Sequence, residues 1–303
     1  GYTMKIGESR ADIIFDRCNK ALVWFFILII AYPLIYIVSA SISDPQFVNS
    51  GEMWLYPKGV TFEGFQRVLQ SSEIGIGYRN TLFYTLLGTA INLAVTLPCA
   101  YVLSKQELIG RKVIMALFVF TMFFDGGLIP TYLLVRDLGM VNTIWSMVIP
   151  NAAAMWNIIV TMTFFSMNIP KALEEAAEID GASQFRIFFQ LVLPLSAPII
   201  AVMALFYGVG HWNQYFSALV YLQDRQLYPL QLFLREILIQ QKVTVELLAG
   251  GNSGTAEALA RHARIADIVK YAVMIVSAAP LLMIYPFLQR FFIKGVLIGS
   301  IKG

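Results

Sequence analysis

Charge is scarce in this sequence. Asp, Glu, Lys and Arg make up 14% of its 303 residues, against about 25% in an average soluble domain. That shortfall excludes a chain built around one large soluble core. Cysteine is scarce too: Cys18 and Cys99 stand far apart with no CxxC spacing, so neither a disulfide framework nor a metal site is expected. Two histidines exclude a histidine-rich metal centre. The sequence has no HExxH, no GxSxG and no paired-carboxylate loop at a plausible depth, so the chain by itself does not read as an enzyme. A formal net charge of +3 is too small to suggest a nucleic-acid partner. What is abundant is apolar: 58% of the residues, with a mean hydropathy of +0.67. The expected solvent for most of the chain is the lipid bilayer.

A transmembrane helix needs about 20 mostly apolar residues. Six stretches qualify: Lys20–Ser41, Arg79–Ser104, Val113–Val135, Ile144–Ser166, Ala197–Leu222 and Ile268–Ile293. The first follows Arg17 and Lys20, and Val38-Ser39-Ala40 has the look of a signal-peptidase site. Its apolar run is longer than the roughly 7–15 residues of a signal peptide, so a retained span is expected. Two polar stretches, 43–78 and 223–267, form long loops on one side. Orientation follows from Lys and Arg in the short loops. Lys5, Arg10, Arg17 and Lys20 precede the first span, Lys105, Arg111 and Lys112 lie in "KQELIGRK", and Arg290, Lys294 and Lys302 lie near the end. All three groups fall on one side of a six-span chain, which places both termini in the cytoplasm. The organisation is then an arm over 1–19, a membrane domain over 20–293 and a tail over 294–303.

One cytoplasmic loop, 167–196, is unlike the others. It reads "MNIPKALEEAAEIDGASQFRIFFQLVLPLS". Asn168 and Pro170 can open a helix. Leu173, Ala176 and Ala177 share one face of it, while Glu174, Glu175 and Glu178 line the rest. Gly181 suits a left-handed helix end. Ser183 can cap a second short helix over 184–193, which Pro194 ends, and Pro198 opens the next span. Alanines let a partner backbone approach closely, and acids offer charge to a basic rim. The alternatives are a docking helix and an ordinary solvated connector.

Polar side chains inside the spans form a second set of candidates. They face a bundle interior or an aqueous cavity because lipid does not solvate them. Asp125 sits in the third span beside Gly126 and Gly127, where two glycines weaken a helix. It reads either as the marker of a broken, pathway-lining helix or as a carboxyl bonding freed amides. The fifth span carries His211, Asn213, Gln214 and Tyr215, and the fourth offers Asn151, Trp156 and Asn157. Amides and aromatics facing a cavity suit a sugar. The competing role for each is an interhelical hydrogen bond.

The loop spacing adds a resemblance. Glu175-Ala176-Ala177, then Gly181, then Leu191-x-Leu193-Pro194 resembles the EAA signature of ABC-importer permeases, with leucine at the usual isoleucine. "EEAAEIDGAS" is similar to the carbohydrate-uptake branch and its MalG-type subunits. "GGLIPTYLL", "HWNQYFSAL" and "QRFFIKGVLIGSIKG" resemble that branch too, especially permeases for complex oligosaccharides and alginate. The resemblance implies an all-α, six-span type I importer permease with a cytoplasmic coupling helix, in a bacterial inner membrane. It implies a dimer of cytoplasmic ATPases that binds ATP and Mg, since this chain has no phosphate loop and no cofactor of its own. It also implies a second permease subunit as heterodimer partner and an extracytoplasmic solute-binding protein that delivers the oligosaccharide, with an acidic glycan such as alginate as one cargo. By the same resemblance Glu174, Glu175, Ala176, Ala177, Asp180, Gly181, Ala182, Leu193 and Pro194 would couple to the ATPase, and Gly299, Ser300 and Gly303 would reach its dimer interface. The competing class is a secondary transporter that moves protons through Asp125.

Overall fold

A computed structural model describes residues 10–249, 264, 267, 269–287 and 289. All of the regular structure in these residues is helical. In chain order the helices are α1 (Arg10–Ser41), α2 (Pro45–Asn49), α3 (Glu63–Gln70), α4 (Ser72–Ser104), α5 (Arg111–Phe123), α6 (Leu128–Asp137), α7 (Trp145–Val148), α8 (Met155–Asn168), α9 (Lys171–Ile179), α10 (Gln184–Ile187), α11 (Leu193–Leu195), α12 (Ala197–Trp212), α13 (Phe216–Tyr221) and α14 (Leu230–Ala249). A last helix, α15, covers Val269–Phe287. The chain groups into two compact units, Gly1–Gln70 with Ile237–Val276, and Ser71–Glu236 with Ser277–Gly303.

In the first unit, α1 presents its apolar side chains outward along its length; Trp24, Leu28 and Ile30 are each more than 60% exposed. The most apolar stretch of α1 buries nothing in its own chain, as expected of a helix solvated by lipid. Below it the chain turns sharply. Asp44 caps α2 by accepting from the Gln46 amide at 2.9 Å. Ala40, Val48 and Met53 form a small core with Tyr36, Phe47 and Tyr271 beside it. Arg264 pairs with Asp44 at 2.9 Å, so this basic residue of the outer loop is already engaged by its own chain.

The second unit is organised around α4. Its buried positions include Ile74, Gly77, Thr81, Tyr84, Gly88, Asn92, Thr96, Ala100 and Leu103. They recur every three or four residues, so they form one stripe down the helix. The stripe is small and polar rather than greasy, as expected where helices approach one another inside lipid. Helices α8 and α12 pack against it. Their contact forms the main core: Leu97, Ala100 and Tyr101 meet Ile158, Met162 and Phe165 of α8 and Ile199, Met203 and Tyr207 of α12. A second core joins Tyr84 to Met147, Val148, Ala218, Leu222 and Leu232.

Three helices, Ala11–Ser41, Ser72–Ser104 and Val269–Phe287, are long and apolar enough to cross a membrane unbroken. They match the first, second and sixth expected spans; the part of the last one beyond Phe287 lies largely outside the described residues. The three expected spans between them are interrupted. Helices α5 and α6 meet at 112° across Phe124–Gly127. Gly127 supplies the turn with a left-handed φ of +84°, and its N–H donates to the Asp125 carboxylate. With 13 residues, α5 is only about 20 Å long, short of the roughly 30 Å hydrocarbon core. The fourth stretch breaks between α7 and α8, around Pro150, and the fifth breaks at Asn213–Tyr215, between α12 and α13.

Close approach decides the α4–α12 contact. A Cβ on Gly88 would fall 2.4 Å from the His211 ring, whereas one on Gly75, also in α4, would meet nothing within 4 Å. Gly88→Ala is therefore expected to destabilise the purified protein by about 1–3 kcal/mol through overpacking, and Gly75→Ala to be neutral or slightly stabilising. Thermal unfolding of both variants in detergent checks this; equal melting temperatures would refute the contact.

Candidate functional site

The loop 167–196 folds as two short helices joined by a glycine turn. Asn168 does not cap the first. It ends α8 and its side chain donates to the Phe164 carbonyl at 3.0 Å, while Pro170 occupies the cap position of α9. Gly181 adopts φ +75° and ends the helix, the conformation glycine enters at least cost. The Ala182 amide closes the turn on the Ala177 carbonyl at 2.9 Å. Ser183 caps α10 by accepting from the Arg186 amide at 3.3 Å. Pro194 does not end the second helix. The chain winds through a π turn over Phe188–Val192 and continues to Leu195. Because proline has no N–H, the wider turn shifts the pairing, and Leu193 N–H donates to the Phe188 carbonyl. The direction changes only beyond Leu195, where this segment meets α12 at 82°.

The acids of α9 divide by direction. Glu174 turns inward and pairs with Lys105, which follows directly on α4. The two side chains are 13% and 27% exposed. The ammonium also lies over the Tyr101 ring, 4.6 Å from its centroid. Burial alone would pull the Lys105 ammonium down, but the hydrogen bonds and charge of Glu174 and Tyr101 outweigh it and hold its pKa above the ordinary lysine value. The lysine's own titration therefore contributes stability that is present below the unfolded lysine pKa and is lost as pH rises through the raised folded value. Around this contact Lys171 pairs with Glu107 at 3.1 Å, and Gln184 bridges Glu178 at 2.6 Å. Glu175, Ala176, Asp180, Gly181 and Pro194 are exposed. Ala177, Ala182 and Leu193 are half-buried and pack on the chain's own core. A cleft of 380 Å³ opens between α9 and the end of α4, lined by Tyr101, Lys105, Glu174, Glu175 and Glu178 among others.

A second cleft, of 340 Å³, gathers most of the polar residues expected along a pathway. Asn151, Asn157, His211, Asn213, Gln214 and Tyr215 all line it, with Asn92. Trp156 is exposed and does not, nor does Asp125. The carboxylate of Asp125 instead accepts the Gly127 N–H at the α5–α6 break. Several cleft residues also hold the helices together. Asn92 donates to the carbonyls of Asn151 and Ala152 at 2.6 and 2.9 Å. With its amide nitrogen so engaged, its Oδ1 faces His211 Nε2 at 2.7 Å, and the Gln214 Oε1 faces His211 Nδ1 at 3.3 Å. Gln214 donates to the Met147 carbonyl at 3.1 Å. These bonds satisfy carbonyls freed where the fourth stretch breaks, and lipid offers no alternative donor.

Several contributors were not evident as site residues in the sequence. Lys105 reads there only as an orientation charge, and Tyr101 as one more aromatic in an apolar span. Gly88, which makes room for His211, has no local signal. Gly299, Ser300 and Gly303 lie outside the described residues.

Known proteins resemble this chain over almost its whole length. The chain is similar to the protein LplC of Bacillus subtilis (strain 168), with 36% identity over 98% of this chain and 97% of that one. It is also similar to the polygalacturonan/rhamnogalacturonan transport system permease protein YtcP of the same organism, with 37% identity over 96% and 99%. Among solved structures it resembles a chain from a bacterial ABC transporter involved in the import of the acidic polysaccharide alginate, at 34% identity and a TM-score of 0.82, covering 94% of this chain and 99% of that one. Residues 5–298 match the family of binding-protein-dependent transport system inner membrane components, and the chain belongs to that family.

Proposed function

We propose that this chain is one permease subunit of an ATP-driven importer that takes up an oligosaccharide delivered by an extracytoplasmic binding protein. The observation that carries the reading is the build of α9. One of its acids, Glu174, is latched to Lys105 at the foot of α4, while Glu175 and Ala176 remain exposed beside a left-handed Gly181. A short helix held firmly on its inner side and free on its outer side can pass a push into the spans. The exposed side is the surface offered to a dimer of cytoplasmic ATPases, which would bind ATP and Mg. A second permease subunit would complete the transmembrane pair.

The cleft of amides and aromatics supports a sugar as cargo. The named cargoes of the relatives, polygalacturonan, rhamnogalacturonan and alginate, favour an acidic glycan. A proton-coupled transporter working through Asp125 is disfavoured on two grounds. The family is binding-protein-dependent, and the Asp125 carboxylate accepts a backbone N–H at a helix break rather than lining the cleft.

Two outcomes test the coupling reading in the reconstituted complex. A side chain at Gly181 would meet open space, so the cost within this chain is mainly backbone strain of about 1 kcal/mol. Gly181→Asp is therefore expected to fold and insert, yet to lose most sugar-stimulated transport while ATP hydrolysis persists. Full stimulated transport in that variant would overturn the reading. Lys105→Met or Glu174→Gln is expected to loosen α9 by roughly 1–3 kcal/mol, between the values for exposed and fully buried pairs, and to lower transport per ATP hydrolysed. The exchanged pair, Lys105→Glu with Glu174→Lys, should recover part of the loss; single and exchanged variants that all couple like the parent would exclude the latch.

A further inference from the structure

Two arginines in the second unit sit in contrasting surroundings. Arg225 is held between Glu73 at 2.7 Å and Glu236 at 3.0 Å. Arg235 has no carboxylate within ion-pair distance among the described residues. Its guanidinium lies over the Tyr215 ring, 5.7 Å from the centroid. Gln231, one turn earlier on the same face of α14, donates to Asn213 Oδ1 at 3.5 Å. That face therefore covers the Asn213–Tyr215 break, and both residues at the ends of the break line the 340 Å³ cleft.

The chemistry of this corner is specific. Arg235 is half-buried, and a half-buried cation without an acid is a costly feature to keep for packing alone. The tyrosine ring attracts the charge but does not cancel it. The Tyr215 ring offers no hydrogen-bond acceptor on its face, and guanidinium N–H donors match a carboxylate two at a time. A sugar hydroxyl carries no charge and cannot make that paired contact. Lysine would offer only a point charge.

We propose that Arg235, carried on Tyr215 at the edge of the cleft, reads the carboxylate of a uronic acid unit and gives the pathway its preference for acidic over neutral oligosaccharides. This rests on the oligosaccharide-importer reading above.

The test uses the full complex in proteoliposomes: this chain, its partner permease, the ATPase pair and the binding protein. Uptake of a tetra-uronate is compared with uptake of its carboxyl-reduced, neutral counterpart, each relative to the parent complex. Arg235→Gln is expected to lower tetra-uronate uptake about 10- to 100-fold, the loss typical of a charge-assisted hydrogen bond, and to change neutral uptake less than about 2-fold. Arg235→Lys should retain part of the acidic uptake, and added salt should bring the parent toward the glutamine variant. Equal losses with both sugars would show a structural role and overturn the proposal, as would undiminished tetra-uronate uptake. A parent complex that moves only the neutral sugar overturns the carboxylate assignment while the importer reading stands. A parent that moves neither sugar, with no stimulation of ATP hydrolysis, removes the oligosaccharide reading and this proposal with it.

Discussion

A helix that breaks inside a membrane frees carbonyls and amides that lipid cannot satisfy, and the second unit depends on how those groups are met. One helix, α4, supplies most of the answer. Asn92 takes the carbonyls of Asn151 and Ala152 where the fourth stretch breaks. Nearer its other end, Asn80 donates to the carbonyls of Gln226 and Tyr228 at 2.7 and 3.0 Å, and Tyr84 donates to Leu227 at 2.7 Å. Thr81 accepts from the Leu230 amide at 2.8 Å. Gly77 lets that backbone come near, since a Cβ there would fall 2.8 Å from Leu230 Cα. Asn92 meets the carbonyls of a break that lipid could not satisfy, and Asn80, Thr81 and Tyr84 fasten the stretch that follows α13 to the same helix.

The same helix links the two candidate sites. At one level of α4, Asn92 bonds His211 and the carbonyls of the fourth-stretch break beside the cleft. Three turns further on, Tyr101 and Lys105 grip α9. Pro98 interrupts the hydrogen bonding of α4 between those two levels, so the helix joins the sites through a point where it can bend. Each interhelical hydrogen bond contributes only about 0.6–2 kcal/mol, so the network is firm enough to define one arrangement and weak enough to exchange it for another. That combination suits a pathway which must change shape in each cycle.

The sequence carried the large features and missed the contacts. Length, charge deficit and apolar runs were sufficient to indicate a helical membrane chain, because each is a sum over many residues. Gly181 and the Ser183 cap were legible because turn and cap chemistry is local. The interruptions in the fourth and fifth stretches were not, since an apolar run looks the same whether or not its helix is continuous; only Gly126-Gly127 in the third advertised its break. Pro194 misled for a related reason: a π turn upstream absorbed the missing N–H that would otherwise end the helix. The polar cluster of Asn151, Asn157, His211, Asn213, Gln214 and Tyr215 was visible as composition, and its convergence on one cleft depended on bends that no local pattern encodes. Lys105 with Glu174, 69 residues apart, is long-range pairing of the kind a single sequence leaves open.

The distribution of uncompensated charge separates the two ends of this unit. On α9 the inner acid is neutralised by Lys105, while Glu175 and Asp180 face outward with no ion pair among the described residues. The free charge on that helix is therefore negative, and the docking proposed above would call for a basic partner surface. At the α14 end the sign reverses: Arg225 is neutralised by two acids, and Arg235 is left on an aromatic ring beside the cleft. Coulomb attraction in partly desolvated surroundings is several-fold stronger than in water, so the selectivity proposed above asks for no more than this one unpaired guanidinium. The outward acids and the unpaired arginine belong to different helices, α9 and α14. On the functions proposed above, opposite charge on two separate helices would let the driving partner and the cargo be selected without competing for the same surface.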